Sequence, residues 1–198
     1  MQVRGRSLVL PAIVLAIAQC ACAAAASPGE LQVTFVPWKL LNPGDEPARG
    51  DLILYWIPAS RDEMRHSPLL TSRVLAAFAS QCIAMQVVRP DDAAMLEKLG
   101  ATGKLPAAVI TDASANSLGS AVQEKGVLSP AAVEKLVHDT YVRLDNECDK
   151  SLDEARTRLA AGDRDAAAEL YRKVLVDKCL FPRKARDAEK ALRKLGVK

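Results

Sequence analysis

Residues 52–57, LILYWI, are an unbroken run of apolar and aromatic side chains between Asp51 and Pro58. Successive side chains of a strand point to opposite faces, so such a run suits a strand covered on both sides. That places it inside a sheet with helices above and below. CIAMQVV at 82–88 reads the same way. LQVTFVPW at 31–38 alternates Leu31, Val33 and Phe35 with polar residues, as a half-buried strand does, and the Pro- and Gly-containing KLLNPGDEPARG reads as a loop. Residues 61–80 carry Leu69, Leu70, Val74, Leu75 and Phe78 on one stripe and predict a single helix. DDAAMLEKLG predicts a short helix closed by Gly100, and AAVIT and SLGSAV two strands around DASAN. A helix over 130–146 starts at Ser129 with Pro130 in its first turn, and Val133, Leu136, Val137, Tyr141 and Leu144 form its buried stripe. The expected fold class is α/β, a mixed sheet with helices on both faces.

The two ends differ from this middle. Arg4 and Arg6 precede SLVLPAIVLAIA, and ACAAAA follows, the layout of a secretory signal cleaved near Ala26. Cys20 and Cys22 fit the pattern of a lipid-anchored cysteine poorly, so ordinary cleavage and a periplasmic or cell-envelope location are expected, without a membrane span. The reading divides the chain into a signal peptide (1–26), an α/β domain (27–146) and a helical extension (147–198). Removing residues 1–26 leaves 25 basic against 24 acidic groups, a balance that argues against general nucleic-acid binding. The last sixteen residues nevertheless carry seven basic groups and two acids, the pattern of a solvated helix face or of a docking surface for an anionic partner.

The order of elements and several local motifs resemble the thioredoxin superfamily over about residues 50–140. Trp56 ends a buried strand four residues before Ser60, which stands at the position of the family's first catalytic cysteine; Glu63 stands at the second. Pro68 matches the proline in the family's first long helix, Pro106 in KLPAAVIT the family's cis-proline, and GVLSPAAVEKLV the approach to the last helix. The resemblance implies a thioredoxin-like fold. It does not carry the chemistry over: neither redox position holds a thiol, and Leu54 replaces the family's buried acid. Disulfide exchange requires a thiolate nucleophile, which Ser60 does not supply.

Ser-x-x-Glu before an apolar stretch is instead a capping box, with Ser60 accepting from a free backbone N–H and Glu63 reaching back to the N–H of Ser60. A nucleophilic Ser60 would need a positioned base. His66 lies near the opposite side of the helix, and His138 is far along the chain. Pro106 reads either as a structural proline or, with the Ser60 turn, as the edge of a peptide groove.

In the tail, SLDEARTRLAAGDRDAAAELYRKVL predicts two helices around AGDRD, resembling a single tetratricopeptide repeat, and a third helix follows Pro182. Of the cysteines beyond residue 26, Cys82 reads as a small buried hydrophobe, while Cys148 and Cys179 flank the hairpin and are expected to form a disulfide. No cysteine has the histidine or cysteine companions that zinc requires, and no cofactor is expected. The functional expectation is a redox-inactive thioredoxin-fold protein used for binding or assembly, with a protein or peptide partner. The alternative is thiol–disulfide exchange or redox sensing through Cys82 or a Cys148/Cys179 pair.

Overall fold

The computed structural model describes residues 34–123 and 126–196. The expected signal segment, Leu31 and Val33 lie outside the described residues. The elements are strands β1 (Lys39–Leu41) and β2 (Leu52–Ile57), helix α1 (Arg61–His66), a 3-10 turn (Pro68–Thr71), α2 (Arg73–Ala79), β3 (Ile83–Val88), α3 (Ala93–Lys98), β4 (Ala107–Asp112), β5 (Ser117–Val122), and helices α4 (Pro130–Ala160), α5 (Arg164–Val176) and α6 (Pro182–Leu195). The sheet order is β1-β3-β2-β4-β5. The β1–β3 and β3–β2 pairs are parallel, and β4 and β5 are antiparallel to their neighbours. This mixed α/β architecture is consistent with a thioredoxin-like fold.

The central position expected for β2 holds, and its side chains divide between two cores. Leu52, Leu54 and Trp56 join the core beneath α2 and α4, whereas Ile53, Tyr55 and Ile57 join Leu96 of α3 and Leu99 just after it on the other face. Gly119 lets α4 approach β5 closely, because a Cβ there would sit 2.9 Å from Leu136 Cδ1.

Three boundaries differ from expectation. Among the described residues the first strand forms at Lys39–Leu41, inside the expected loop, and not over 34–38. Pro37 has no N–H for a ladder, and the Val36 N–H donates to Leu70 O across to the 3-10 turn. Next, the helix expected over 61–80 is three pieces. Ser67 precedes Pro68, which disfavours the helical conformation there, and both Ser67 and Ser72 are extended. Each then caps the next piece, Ser67 Oγ accepting from Leu69 N (3.3 Å) and Ser72 Oγ from Leu75 N (3.1 Å). Finally, α4 is one helix of 31 residues, about 46 Å long, and it runs unbroken through residues 146 and 147 where the expected domain boundary lies. Neither Gly nor Pro occurs between Pro130 and Ala160, and the buried stripe continues without a gap through Leu144, Cys148, Leu152 and Ala155.

The tail shares the sheet's core. Phe78 of α2, Tyr141 of α4 and Phe181 ahead of α6 form an aromatic row with centroid spacings of 6.0 and 5.0 Å. The α4–α5 turn uses Gly162 at φ +85°, with Gly162 N donating to Leu159 O and Asp163 N to Arg158 O, a Schellman arrangement. Lys184 pins α6 to α4, its Nζ lying 2.6 Å from Asp145 Oδ1 and 2.8 Å from Asp149 Oδ1.

Candidate functional site

Ser60 and Glu63 sit where β2 passes through Pro58 and Ala59 into α1. Ser60 is extended (φ −150°, ψ 165°), and its Oγ accepts from Glu63 N at 3.1 Å. The expected cap therefore forms. The return contact differs by one residue: Glu63 Oε2 accepts from Ala59 N at 2.7 Å, and the expected bond to Ser60 N is not made. The second carboxylate oxygen does something the sequence did not disclose. Glu63 Oε1 accepts from Leu128 N at 3.3 Å, across 65 residues, on the segment that leads into α4. Glu63 is only 6% exposed, and Leu128 is fully buried. A buried carboxylate is tolerable only when hydrogen-bonded, and here both oxygens are used to hold two chain segments together.

The other residues around this turn are also committed to structure. Trp56 is fully buried and packs on Trp38 at 5.6 Å between centroids, while Trp38 Nε1 donates to Leu69 O. Leu54 is fully buried in the same core. The Leu105–Pro106 bond is cis, Pro106 is buried, and its carbonyl accepts from Gln123 N at 3.1 Å. His66 Nδ1 lies 3.1 Å from Asp62 Oδ1, and His138 Nδ1 lies 3.6 Å from Asp139 Oδ1, so each imidazole faces an exposed aspartate. Among the described residues, no cluster of three or more His, Cys, Asp or Glu side chains is arranged to hold a metal ion.

The cysteine pairing is a correction. The disulfide joins Cys82 to Cys179, with Cα atoms 5.9 Å apart, and Cys148 is a free, buried thiol. The expected Cys148–Cys179 bridge assumed that Cys148 lies at a helix end. Because α4 is continuous, Cys148 falls mid-helix and turns inward, 4% exposed. Burial, and next the carboxylate of Asp177, push its thiol up to about 11, so it stays protonated at neutral pH. Nor is Cys82 an isolated hydrophobe. It precedes β3 with φ +64°, and its partner arrives on the α5–α6 loop. That loop is held by Asp51, whose Oδ2 accepts from Cys179 N at 2.9 Å and Leu180 N at 3.3 Å. Asp177 on the same loop has its carboxyl raised by burial and then by Asp51.

Two open grooves flank α3 on the opposite face of the sheet. One, of about 680 Å³, is lined by Arg49, Asp51, Tyr55, Lys98 and Ser114. The other, of about 400 Å³, is lined by Lys98, Lys104, Thr111, Ser117 and Ser120. Burial raises the Tyr55 phenol, and a hydrogen bond with Thr111 partly offsets this. Ser60, Glu63 and Pro106 line neither groove. No family model and no curated protein matches the chain.

Proposed function

We propose that this is a non-catalytic thioredoxin-fold protein, exported to the bacterial cell envelope and used there for binding or assembly. Its helical tail, a hairpin resembling one tetratricopeptide repeat plus a third helix, supplies contact surface for a protein partner. One observation carries the reading: the polar atoms at both former redox positions are already engaged. Ser60 Oγ caps α1, and the Glu63 carboxylate joins Ala59 to Leu128. A protein that keeps the scaffold and uses these positions as fasteners has no dithiol at them with which to cycle. The Cys82–Cys179 bridge and the lack of any described helix long and apolar enough to cross a membrane are compatible with export.

Insulin-disulfide reduction with dithiothreitol as electron donor tests this. The chain is expected to run at the buffer rate, unchanged by Cys82→Ser. A second reading has specific support: Cys179 is exposed, and Cys82 holds a left-handed backbone that non-glycine residues adopt at a cost. It makes the Cys82–Cys179 bridge an exchange site. Turnover above the buffer rate that is lost in both Cys82→Ser and Cys179→Ser would establish that reading and overturn the first.

Ser60→Ala separates a cap from a nucleophile. The expected result is a loss of about 1 kcal/mol in denaturant unfolding, as for other N-caps, with binding of any partner retained.

A further inference from the structure

The exposed charges of the tail follow two different rules. Along α4 and α5 five cations pair with opposite charges one turn away, Lys135 with Asp139, Arg143 with Glu147, Arg156 with Asp153, Arg158 with Glu154 and Arg172 with Glu169, and the exposed Lys150 and Lys173 stand singly. Helix α6 breaks that rule. Lys184 alone turns inward, to Asp145 and Asp149. Arg183, Arg186, Lys190, Arg193 and Lys194 are all exposed. Ala185, Ala188, Leu192 and Leu195 are buried. At 3.6 residues per turn, those five cations fall in one sector opposite the buried face, and Asp187 and Glu189 fall on its two flanks. Among the described residues, none of the five forms an ion pair.

The spacing within this sector is unfavourable for the helix itself. Arg186–Lys190 and Lys190–Lys194 are like-charge pairs at i,i+4, and Arg183–Arg186 and Lys190–Arg193 at i,i+3, which weaken an isolated helix. Only Arg193 and Lys194, in the last turn, gain from the helix dipole. Asp187 and Glu189 stand three or four positions from Arg183, Arg186 and Lys190, yet among the described residues neither closes an ion pair with them, so the stripe is left open to something it meets.

We propose that α6 lays this stripe on an anionic phospholipid bilayer. The stripe is about 16 Å long and lies on a rigid rod whose apolar side is already packed. It carries no exposed aromatic to stack on a nucleobase, and it needs no groove, because an array of lipid headgroups presents diffuse negative charge. An acidic peptide would need side-chain pockets for register. The groove beside Tyr141, Phe181 and Arg183 reaches only the first residue of the stripe. With the apolar face sequestered, contact is electrostatic and peripheral, independent of the reading of Ser60 and Glu63.

Vesicle co-sedimentation tests this with the full chain, comparing vesicles of phosphatidylcholine with vesicles containing about 30% phosphatidylglycerol, at low and high salt. The readout is the preference for the anionic vesicles, which cancels any apolar contribution common to both. The wild-type chain is expected to show that preference at low salt and lose it at high salt. R186Q/K190Q should weaken it about thirtyfold, given the usual contribution of a basic residue near an anionic surface. The same variant should melt no lower than wild type, since all four like-charge spacings are relieved against two opposite-charge ones, Arg186–Glu189 and Asp187–Lys190. K135Q/R158Q removes the same net charge from paired positions on α4 and should leave the preference unchanged. The proposal is overturned by no preference for anionic vesicles, by equal losses in the two double variants, or by binding to polyglutamate or duplex DNA in place of vesicles.

Discussion

Replacing Cys179 by serine is expected to lower stability by about 4–5 kcal/mol in the chain-entropy model. The bridge closes a stretch of 97 residues, from the start of β3 to the loop before α6. Without it the unfolded chain regains the freedom of that whole loop. The native tail would still be tethered by Asp51 and by the row Phe78, Tyr141 and Phe181, so the fold should survive in weakened form. Cys82→Ser should match Cys179→Ser, because each removes the same closure, and the double variant should cost no more than either single one. Cys148→Ser should cost much less, since it breaks no bridge. Urea unfolding of the four variants checks these relations, and non-reducing peptide mapping checks the pairing. A map that joins Cys148 to Cys179, with Cys82→Ser near wild type, would refute them.

Glu63→Ala should cost about 3 kcal/mol. Two effects add: the charge-assisted bonds to Ala59 N and Leu128 N are lost, and the Leu128 donor remains in the interior without a partner, whereas the exposed Ala59 can turn to water. Glu63→Gln is the informative comparison. It keeps the volume but retains one acceptor oxygen, and its NH2 then faces an N–H donor. More than half of the alanine loss should therefore persist. If the glutamine variant were as stable as wild type, Glu63 would be filling space and not holding two strands of chain. Because one of the two bonds crosses 65 residues, the effect should also appear as earlier opening of the segment before α4.

How far these features could be read in advance depended on whether their cause was local. The run Leu52–Ile57 announces a doubly covered strand because burial on both faces is written into adjacent residues. The Ser60 cap is legible for the same reason, as an oxygen and an amide three positions apart. The stripe over 61–80 misled because it is satisfied equally by one helix or by three short pieces. The decisive signals were Ser67, Pro68 and Ser72, residues that cap and break at once. The continuity of α4 was legible in the absence of Gly and Pro, but Ser151, which invites a cap, is buried within the helix. The partners of Glu63, Asp51 and Cys82 lie 65, 128 and 97 residues away, and no local pattern encodes them. A pairing inferred from helix ends failed once the helix end was not there.

The claim that residues 60 and 63 fasten the fold is tested most directly by residue-resolved amide hydrogen exchange. Leu128 precedes α4, outside any regular element, so its amide has no helix or strand bond to protect it. The account predicts that Ala59, Glu63 and Leu128 exchange slowly in the wild-type chain, and that Ser60→Ala releases the Glu63 amide while Leu128 stays protected. Fast exchange of Leu128 in the wild type would mean that the Glu63 tether is not made, and the account would fail.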